Sequence, residues 1–310
     1  MKTATRGIYT LANDGVYDWL VAFLESCRVH EPDMPVMVIP FDERMQRVNA
    51  LRDRYEFTVL EHESLEALDG IGAMYFPHDR KWPHAFRKFA AFWGPFEQFV
   101  FVDADVVLLG PLDEFFERVD ASDVEFVCGD IDIDQVYAPG AVRDEIIAKG
   151  MTTGFNTGFF VSWRNKLTLD QVLRFAQEGL AVRQDLLPVV GEQPFINWCV
   201  AAADLKVQTY FDLIPDMCFS TWAMRRPVAH VDGVWRLLDP KWDDFGRRMP
   251  LLHWAGSALD FKMPNMGIFL RYRFARATNR ERVQFTSRWA TNSAKRISAA
   301  MRRRFRRAFG

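Results

Sequence analysis

The chain has 310 residues, of which 49% are hydrophobic and 14% aromatic, enough apolar material for a large core in one or two domains. Its net charge of −2 conceals an uneven distribution, because residues 271–310 hold thirteen Arg and Lys residues and one Glu. Taking these from the 39 basic and 41 acidic residues leaves 26 and 40, so a body near −14 carries a tail near +12. An acidic body argues against a nucleic-acid-binding module.

Cysteine usage and the absence of a leader indicate a cytoplasmic protein. The four cysteines lie in apolar or mixed stretches without the paired spacing of a disulfide or zinc framework: Cys27, Cys128, Cys199 and Cys218. We interpret them as reduced core thiols. No charged-then-apolar leader opens the sequence and no apolar run reaches about 18 residues, so we expect neither a signal peptide nor a membrane span.

The first sixty residues predict a parallel α/β sheet. Residues 7–12 form a predicted strand, helical spacing extends from Val16 to Arg28, and residues 35–39 form a second strand. A strand, a helix and a strand in about 35 residues imply a right-handed βαβ crossover. A more polar helix over 43–55 and a third strand over 57–60 follow.

Polar residues follow the first strand. Ala12 and Asn13 stand at its carboxyl end, which is where open α/β sheets bind ligands. Contact with a nucleotide base or ribose is one interpretation. An Asx turn that caps the following helix is an equally good one from these residues alone.

A third helix is predicted over residues 82–93, with an apolar face from which Arg87 and Lys88 are excluded. Either cation could contact a diphosphate, because guanidinium and ammonium groups are the usual partners of phosphate oxygens. The alternative for any such pair is a solvated helix face.

The strongest signal is the apolar run over residues 99–102, a predicted buried strand that ends in Asp103-Ala104-Asp105. In extended backbone, residues two apart point the same way, so we expect both carboxylates on one side and Ala104 on the other. Carboxylates are preferred ligands of Mg²⁺ and Mn²⁺, which bridge them to substrate phosphates. A turn cap and a solvated aspartate are the alternative.

The next predicted strand, over residues 124–128, leads to a rival set of alternating carboxylates that begins with Asp130. We rank this set below Asp103 and Asp105 for a metal, because it opens an irregular stretch over residues 134–150. Asp130 could instead hydrogen-bond a hydroxylated substrate.

Three later segments carry polar groups with two interpretations each. Asn156 lies between two glycines that would allow close approach to a ligand or form a simple tight turn. Glu192 and Gln193 begin a predicted helix, where such groups cap the helix or project into a cleft. His253 follows a short apolar run, and a lone histidine there is more often structural than a metal ligand.

Together these segments resemble the GT-A glycosyltransferases, and most closely glycosyltransferase family 8 and its bacterial relatives, over residues 6–265. Six fragments carry the resemblance in the family's order: Leu-Ala-Asn-Asp at 11–14, Phe-Arg-Lys at 86–88, Val-Asp-Ala-Asp-Val-Val-Leu-Leu-Gly-Pro-Leu at 102–112, Phe-Asn-Thr-Gly at 155–158, Glu-Gln-Pro-Phe-Ile-Asn at 192–197 and His-Trp-Ala-Gly at 253–256. Each fragment is weak alone, and their order and spacing are specific.

The resemblance implies an α/β fold of GT-A type, with a Rossmann-like, mostly parallel central sheet flanked by helices. Residues 1–270 would form the transferase domain and 271–310 a basic helical tail. It implies a metal-dependent transfer of a sugar, as in hexosyltransferases, from a nucleotide-diphosphate donor to a hydroxyl acceptor. Membership of family 8 would imply retention of the anomeric configuration.

The resemblance also implies roles for individual positions. Asp103, Asp105 and His253 would hold Mn²⁺ or Mg²⁺. The nucleotide-sugar would be contacted by Ala12, Asn13, Arg87, Asp103, Ala104, Asp105, Asn156, Gly256 and Lys262. The reacting side of the cleft would hold Gln193, Asn156, Asp130 and Glu192, with Asn156 at the donor sugar and Gln193 under its reactive face.

Two positions depart from the family pattern. Glu192 stands where the family usually has Asp, and residues 257–261 intervene before Lys262, where the family has Lys-Pro-Trp close behind its histidine motif. A degenerate relative that binds a nucleotide-sugar or a partner without turnover is therefore the alternative hypothesis. A sugar nucleotidyltransferase would need a glycine-rich basic loop after the first strand, and residues 11–16 offer none.

The tail predicts a basic amphipathic helix. Its large apolar residues recur mostly every four positions: Phe285, Trp289, Ile297, Met301, Phe305 and Phe309. Basic residues fill the remaining positions, a pattern typical of a segment on an anionic membrane surface. Such a transferase would suit the inner face of the membrane and a lipid-linked or envelope glycan. Nucleic-acid binding and a disordered solubilising tail are the alternatives.

Overall fold

The computed structural model describes residues 5–79, 82–129, 132–151, 154–186, 191–218, 226–238 and 245–309, with side chains through residue 302. The strands are β1 Arg6–Ala12, β2 Val36–Pro40, β3 Phe57–Val59, β4 Gln98–Val102, β5 Val106–Leu108, β6 Phe126–Cys128, β7 Phe159–Trp163, β8 Val207–Thr209, β9 Val228–Val231, β10 Val234–Leu237 and β11 Leu251–His253. The α-helices are α1 Tyr17–His30, α2 Gln46–Asn49, α3 Arg52–Tyr55, α4 Ser64–Tyr75, α5 Asp113–Asp120, α6 Ala141–Ala148, α7 Leu169–Ala181, α8 Gln193–Ala202, α9 Tyr210–Leu213, α10 Met266–Arg273 and α11 Asn279–Phe309.

A seven-stranded sheet in the order β3-β2-β1-β4-β7-β6-β8 forms the centre of the fold. Strands β1 to β4 pair in parallel, β6 pairs in parallel with β8, and β7 runs antiparallel to both of its neighbours. Helices cover the sheet, so the predicted mostly parallel α/β architecture is confirmed.

The central strand β4 is buried on both faces, as its unbroken apolar run predicts. Phe99 and Phe101 project into one core cluster, whereas Val100 and Val102 project into the cluster on the opposite face. This alternation follows from the two-residue period of a strand. The sheet therefore holds the end of β4 rigidly, and Asp103 follows immediately.

A short antiparallel pair, β5 with β11, lies beside the main sheet. In its register His253 faces Val106, the first residue of β5. The sequence did not predict β5, because its three residues follow the aspartates with no turn signal of their own. This pairing brings His253 to the carboxyl end of β4.

The basic tail begins with two helices that pack on the body. Helix α10 crosses residue 270, the predicted domain boundary, and the guanidinium of its Arg273 lies 2.8 Å from Asp18 of α1. In α11, Phe285 is buried, and Trp289 packs against the cluster that holds Trp254. The first turns of the apolar stripe therefore complete a core, and contact of the tail with a membrane surface stays a prediction.

Ion pairs and a cap fix the start of α11. The backbone N–H and hydroxyl of Thr278 donate to Glu281, and Arg54 donates to the same carboxylate at 2.7 Å. Burial raises the pKa of Glu281, but Arg54 and Thr278 lower it by more, to about 2. Arg288 donates to Asp18 at 2.9 Å.

Within the part of the chain that the structure describes, no helix has the length and apolar character that a bilayer span requires.

Candidate active site

The two aspartates of the Asp-x-Asp motif lie on a turn at the carboxyl end of β4. The backbone N–H of Asp103 donates to the carbonyl of Gly158 at 2.8 Å, and that of Val106 donates back to the carbonyl of Asp103 at 3.2 Å. The expectation of extended backbone is therefore wrong here. The carboxylates converge because the chain turns, and Ala104 lines the same cleft instead of facing away.

Asp103, Asp105 and His253 form a group of potential metal ligands. Their ligand atoms lie within 4.8 Å of one another, and His253 Nε2 is 3.2 Å from Asp105 Oδ1. The three ligand atoms are thus grouped closely enough for one divalent ion to bind all of them after a movement of the side chains. Two carboxylates and an imidazole suit Mn²⁺ or Mg²⁺, and these residues therefore fit such an ion.

The electrostatics of this group favour a cation. Burial lowers the pKa of His253, but the Asp105 carboxylate raises it by more, so the pKa lies above its ordinary value. Removal from bulk water raises the pKa of Asp105, and His253 lowers it by more. Removal from water also raises the pKa of Asp103, beyond what Lys88 compensates. A divalent ion held by these three residues would supply positive charge that balances the aspartates.

Lys88 is the cation that reaches the aspartates. Its Nζ lies 2.9 Å from Asp103 Oδ1 and 2.7 Å from Glu192 Oε1. Both Lys88 and Glu192 are buried. Burial lowers the pKa of Lys88, but Asp103 and Glu192 raise it by more, and the ammonium stays protonated at neutral pH. The interpretation of Lys88 as part of a solvated helix face is wrong.

Arg87 points away from the aspartates. Its Nε and Nη2 donate to Asp69 at 2.8 and 2.6 Å, and its Nη1 donates to the carbonyl of Pro40 at 2.9 Å. Its segment, Trp82–Trp93, is a 3-10 helix, so successive residues leave it at angles that an α-helical pattern does not predict. Among the described residues that line the cleft, Lys88 is present and Arg87 is not. This corrects the placement of Arg87 implied by the resemblance.

The turn before β7 and the start of α8 form a hydrogen-bonded wall. Asn156 Oδ1 accepts from the N–H of Gly158 at 2.8 Å, and its Nδ2 donates to Gln193 Oε1 at 3.1 Å. Thr157 Oγ1 donates to Glu192 Oε1 at 3.1 Å. The side chain of Glu192 makes no cap bond to α8. The structure therefore brings Asn156, Glu192 and Gln193 together at the cleft, and the helix-cap interpretation of Glu192 is wrong.

Asn197 holds this wall in place and was not among the predicted site residues. It is fully buried. Its Oδ1 accepts from the N–H of Phe155, and its Nδ2 donates to the carbonyls of Phe155 and Gln193, all at 2.9 Å. The available signal was its spacing, because a residue four positions after Gln193 lies on the same helix face.

Position 158 needs a glycine because no side chain fits beside the potential metal ligands. A Cβ built there would lie 2.3 Å from His253 Cε1 and 3.0 Å from Asp103 Oδ2. Real Cβ atoms do not approach other atoms this closely, so the backbone of the turn packs directly against two potential ligands. The glycine of the Phe-Asn-Thr-Gly fragment thus serves close packing.

Residues at the carboxyl end of β1 also line the cleft. Asn13 Oδ1 accepts from the N–H of Gly15 at 2.8 Å, and its Nδ2 donates to Asp42 Oδ2 at 2.8 Å. The Asx-turn interpretation of Asn13 is therefore confirmed, and Ala12 and Asn13 also line the cleft. Three aromatic residues, Trp19, Phe41 and Trp82, line it as well. The cleft has a volume of about 560 Å³, in the range of small-molecule sites.

The remaining predicted residues divide into three cases. Gly256 lines the cleft together with Ser257. Lys262 is exposed, and its ammonium lies near the ring of Phe261, outside the described lining of the cleft. Asp130 lies outside the described residues.

Comparisons with known proteins bear on this geometry. No protein-family model matches the chain, and no curated protein matches it. Among solved structures, an active-site mutant of LgtC is 14% identical, with 89% of this chain and 99% of that chain covered and a TM-score of 0.58. The chain has the GT-A glycosyltransferase fold. The galactosyltransferase LgtC in complex with donor and acceptor sugar analogs gives 15% identity, 88% and 96% coverage and a TM-score of 0.57.

A longer GT-A protein aligns too. The bifunctional glycosyltransferase WbbM is 14% identical with a TM-score of 0.54, and the alignment covers 94% of the present chain and 52% of WbbM. The present chain thus spans about half the length of WbbM. The TM-scores of 0.54–0.58 confirm the predicted GT-A fold. At identities of 14–15%, membership of family 8 stays a prediction.

Proposed function

We propose that the protein is a metal-dependent glycosyltransferase that moves a sugar from a nucleotide-diphosphate donor to a hydroxyl acceptor. The observation that carries this proposal is the convergence of Asp103, Asp105 and His253 on one wall of a GT-A cleft. These three residues would hold Mn²⁺ or Mg²⁺. When bound, such an ion neutralises charge on the diphosphate as it departs.

In the proposed reaction, the bond between the anomeric carbon and the diphosphate oxygen breaks, and its electron pair leaves with the diphosphate. The acceptor hydroxyl oxygen forms the new bond to the anomeric carbon, and its proton passes to an oxygen of the departing diphosphate. Lys88 supplies a fixed positive charge beside the aspartates, where negative charge develops. Ala12 and Asn13, which line the cleft at the carboxyl end of β1, would contact the base.

The wall of Asn156 and Gln193 would orient the donor sugar. The amide of Asn156 is fixed by Gly158 and Gln193, so its remaining hydrogen-bonding capacity is held in one direction. Glu192 is held by Lys88 and Thr157, which keeps a carboxylate beside the proposed reaction centre. The resemblance to family 8 extends the proposal to transfer of a hexose with retention of its anomeric configuration.

A binding protein without turnover is the second candidate. The exposed position of Lys262 favours it, because Lys262 is not among the described residues that line the cleft. In this case a nucleotide-sugar would bind and raise the melting temperature Tm, but would not be consumed.

One set of variants tests the proposed activity. A panel of nucleotide-diphosphate sugars is assayed for hydrolysis and transfer with Mn²⁺, with Mg²⁺ and with a chelator, for the wild type, Asp105→Asn and Asp33→Asn. Asp33 lies on an exposed turn after α1 and is the matched control. We expect metal-dependent turnover by the wild type and Asp33→Asn, and a loss of at least about a hundredfold in Asp105→Asn. Stabilisation by a nucleotide-sugar without turnover would favour the second candidate.

We also propose that the distal part of α11 binds an anionic membrane surface, so that a cytoplasmic transferase works at the inner face on a lipid-linked or envelope glycan. Ile297 and Met301 are 44% and 58% exposed, and residues 302–310 add five arginines and no acid. A basic segment with exposed apolar residues binds anionic lipid.

Vesicle flotation tests this second part of the proposal. The full chain and a chain ending at residue 296 are compared on vesicles of neutral lipid and of neutral lipid with an anionic lipid. We expect flotation of the full chain with anionic vesicles alone, weakened by salt. Equal flotation of the two chains would refute membrane binding through the tail.

A further inference from the structure

The loop between β11 and α10, residues 254–265, connects the proposed metal site to the C-terminal helices. It follows His253 directly, and its first part, at Ala255, Gly256 and Ser257, lines the cleft. The position of this loop therefore determines the shape of the cleft beside the proposed metal site.

The second part of this loop lies on α11. Asn292 Nδ2 donates to the carbonyl of Leu259 at 3.2 Å, and the backbone N–H of Phe261 donates to Ser293 Oγ at 3.1 Å. Further along the helix, Arg296 Nη1 donates to Asp260 at 2.6 Å. The three helix residues have spacings of one and three positions, and three-residue spacing keeps side chains on one face.

Asp260 is the centre of this contact. It is 2% exposed, and one carboxylate oxygen accepts from the backbone N–H of Lys262 at 2.8 Å while the other accepts from Arg296. A buried carboxylate that loses its cation is strongly destabilised and tends to move towards water. Asp260 also accepts a backbone bond from Met263, so its movement would disturb the whole turn.

The helix itself is anchored to the body independently of this loop. Arg288 is paired with Asp18 of α1, and Phe285 is buried against the core. The start of α11 is therefore fixed relative to the sheet, and about two turns of helix connect Arg288 to the residues that contact the loop.

We propose that α11 positions the β11–α10 loop at the nucleotide-sugar cleft, with Asn292, Ser293 and Arg296 as positioning residues. The expected effect on donor binding rests on the proposed function. The position of the loop rests on the contacts described above. Loss of Arg296 should loosen the loop and weaken donor binding. The chemical step should change less, because Asp103 and Gln193 are not in this contact.

Hydrogen exchange tests the loop without any ligand. Amide exchange in residues 258–263 is compared in the full chain for the wild type, Arg296→Gln, Arg296→Lys, Ser293→Ala and Lys295→Gln. Lys295 is the matched control, because it is the exposed neighbour of Arg296 and loses the same charge. We expect at least about tenfold faster exchange in Arg296→Gln and Ser293→Ala, partial recovery in Arg296→Lys and no change in Lys295→Gln. Exchange in β4 should be the same in all of them.

Donor kinetics form the second arm. With a nucleotide-sugar that the wild type turns over, KM should rise about tenfold in Arg296→Gln with kcat little changed, and Arg296→Lys should recover part of the loss. Unchanged exchange at residues 258–263 would overturn the proposal, and so would a loosened loop with unchanged KM. If the wild type turns over no donor, the proposed function fails, while the exchange comparison still supports or overturns the docking of the loop on α11.

Discussion

Replacing Gly158 by alanine tests whether close packing at the metal group matters for the ion. The new Cβ would lie 2.3 Å from His253 Cε1, whereas carbon atoms in contact are normally about 3.5 Å apart. Relief of this overlap requires a relative movement of about 1.2 Å between the turn and the imidazole. His253 is buried, so the movement must be taken up by packed neighbours.

The expected magnitude has two parts. Overpacking of this kind costs about 1–3 kcal/mol of unfolding free energy. Metal ligands tolerate deviations of about 0.2 Å, so an imidazole displaced by several times that distance should lose its bond to Mn²⁺. We expect the affinity for Mn²⁺ to fall by about tenfold to a hundredfold.

Isothermal titration with Mn²⁺, together with Tm measured with and without the ion, checks this prediction. Gly70→Ala is the control, because Gly70 lies within α4 and a Cβ there meets nothing within 4 Å. That variant should be as stable as the wild type or up to about 1 kcal/mol more stable. Wild-type affinity for Mn²⁺ in Gly158→Ala would refute the role assigned to this position.

Three further changes test the supports of the site and the tail. Asn197→Ala leaves backbone groups of Phe155 without a buried partner, so urea denaturation should show a loss of about 2–4 kcal/mol; an unchanged midpoint would contradict the clamp. Lys88→Met leaves buried Glu192 without its cation, and we expect about 3–5 kcal/mol of destabilisation by the same measurement, with Arg87→Met as the comparison. Because the pKa of Glu281 is lowered to about 2, its contribution is complete above its unfolded-state value of about 4.3 and is lost as the pH falls through about 2. The Tm difference between wild type and Glu281→Gln should therefore be largest near neutral pH and shrink below about pH 4; a constant difference would argue against this charge pair.

The sequence was most informative where chemistry and local pattern coincide. The buried strand β4 and the two aspartates after it were predicted from an apolar run and a polar pair, and the structure places Asp103 and Asp105 together. The turn that brings the two aspartates together was not predicted. It depends on a hydrogen bond from Asp103 to Gly158, which lies in a distant segment of the chain.

Contacts between distant segments explain the remaining differences. The position of Lys88 instead of Arg87 at the aspartates depends on the 3-10 geometry of their helix and on Asp69, which holds Arg87. The docking of α11 depends on carboxylates in other parts of the chain, such as Asp18. An amphipathic pattern shows that a helix has an apolar side, and it does not specify whether lipid or a core covers that side.

The proposed ligands come from distant parts of the polypeptide, since His253 follows Asp103 by 150 positions. A nascent or nicked chain that lacks the segment ending in β11 would carry both aspartates and still miss the imidazole. Affinity for a divalent ion would therefore report whether β11 has paired with β5. Newly synthesised chains should acquire this affinity late in folding.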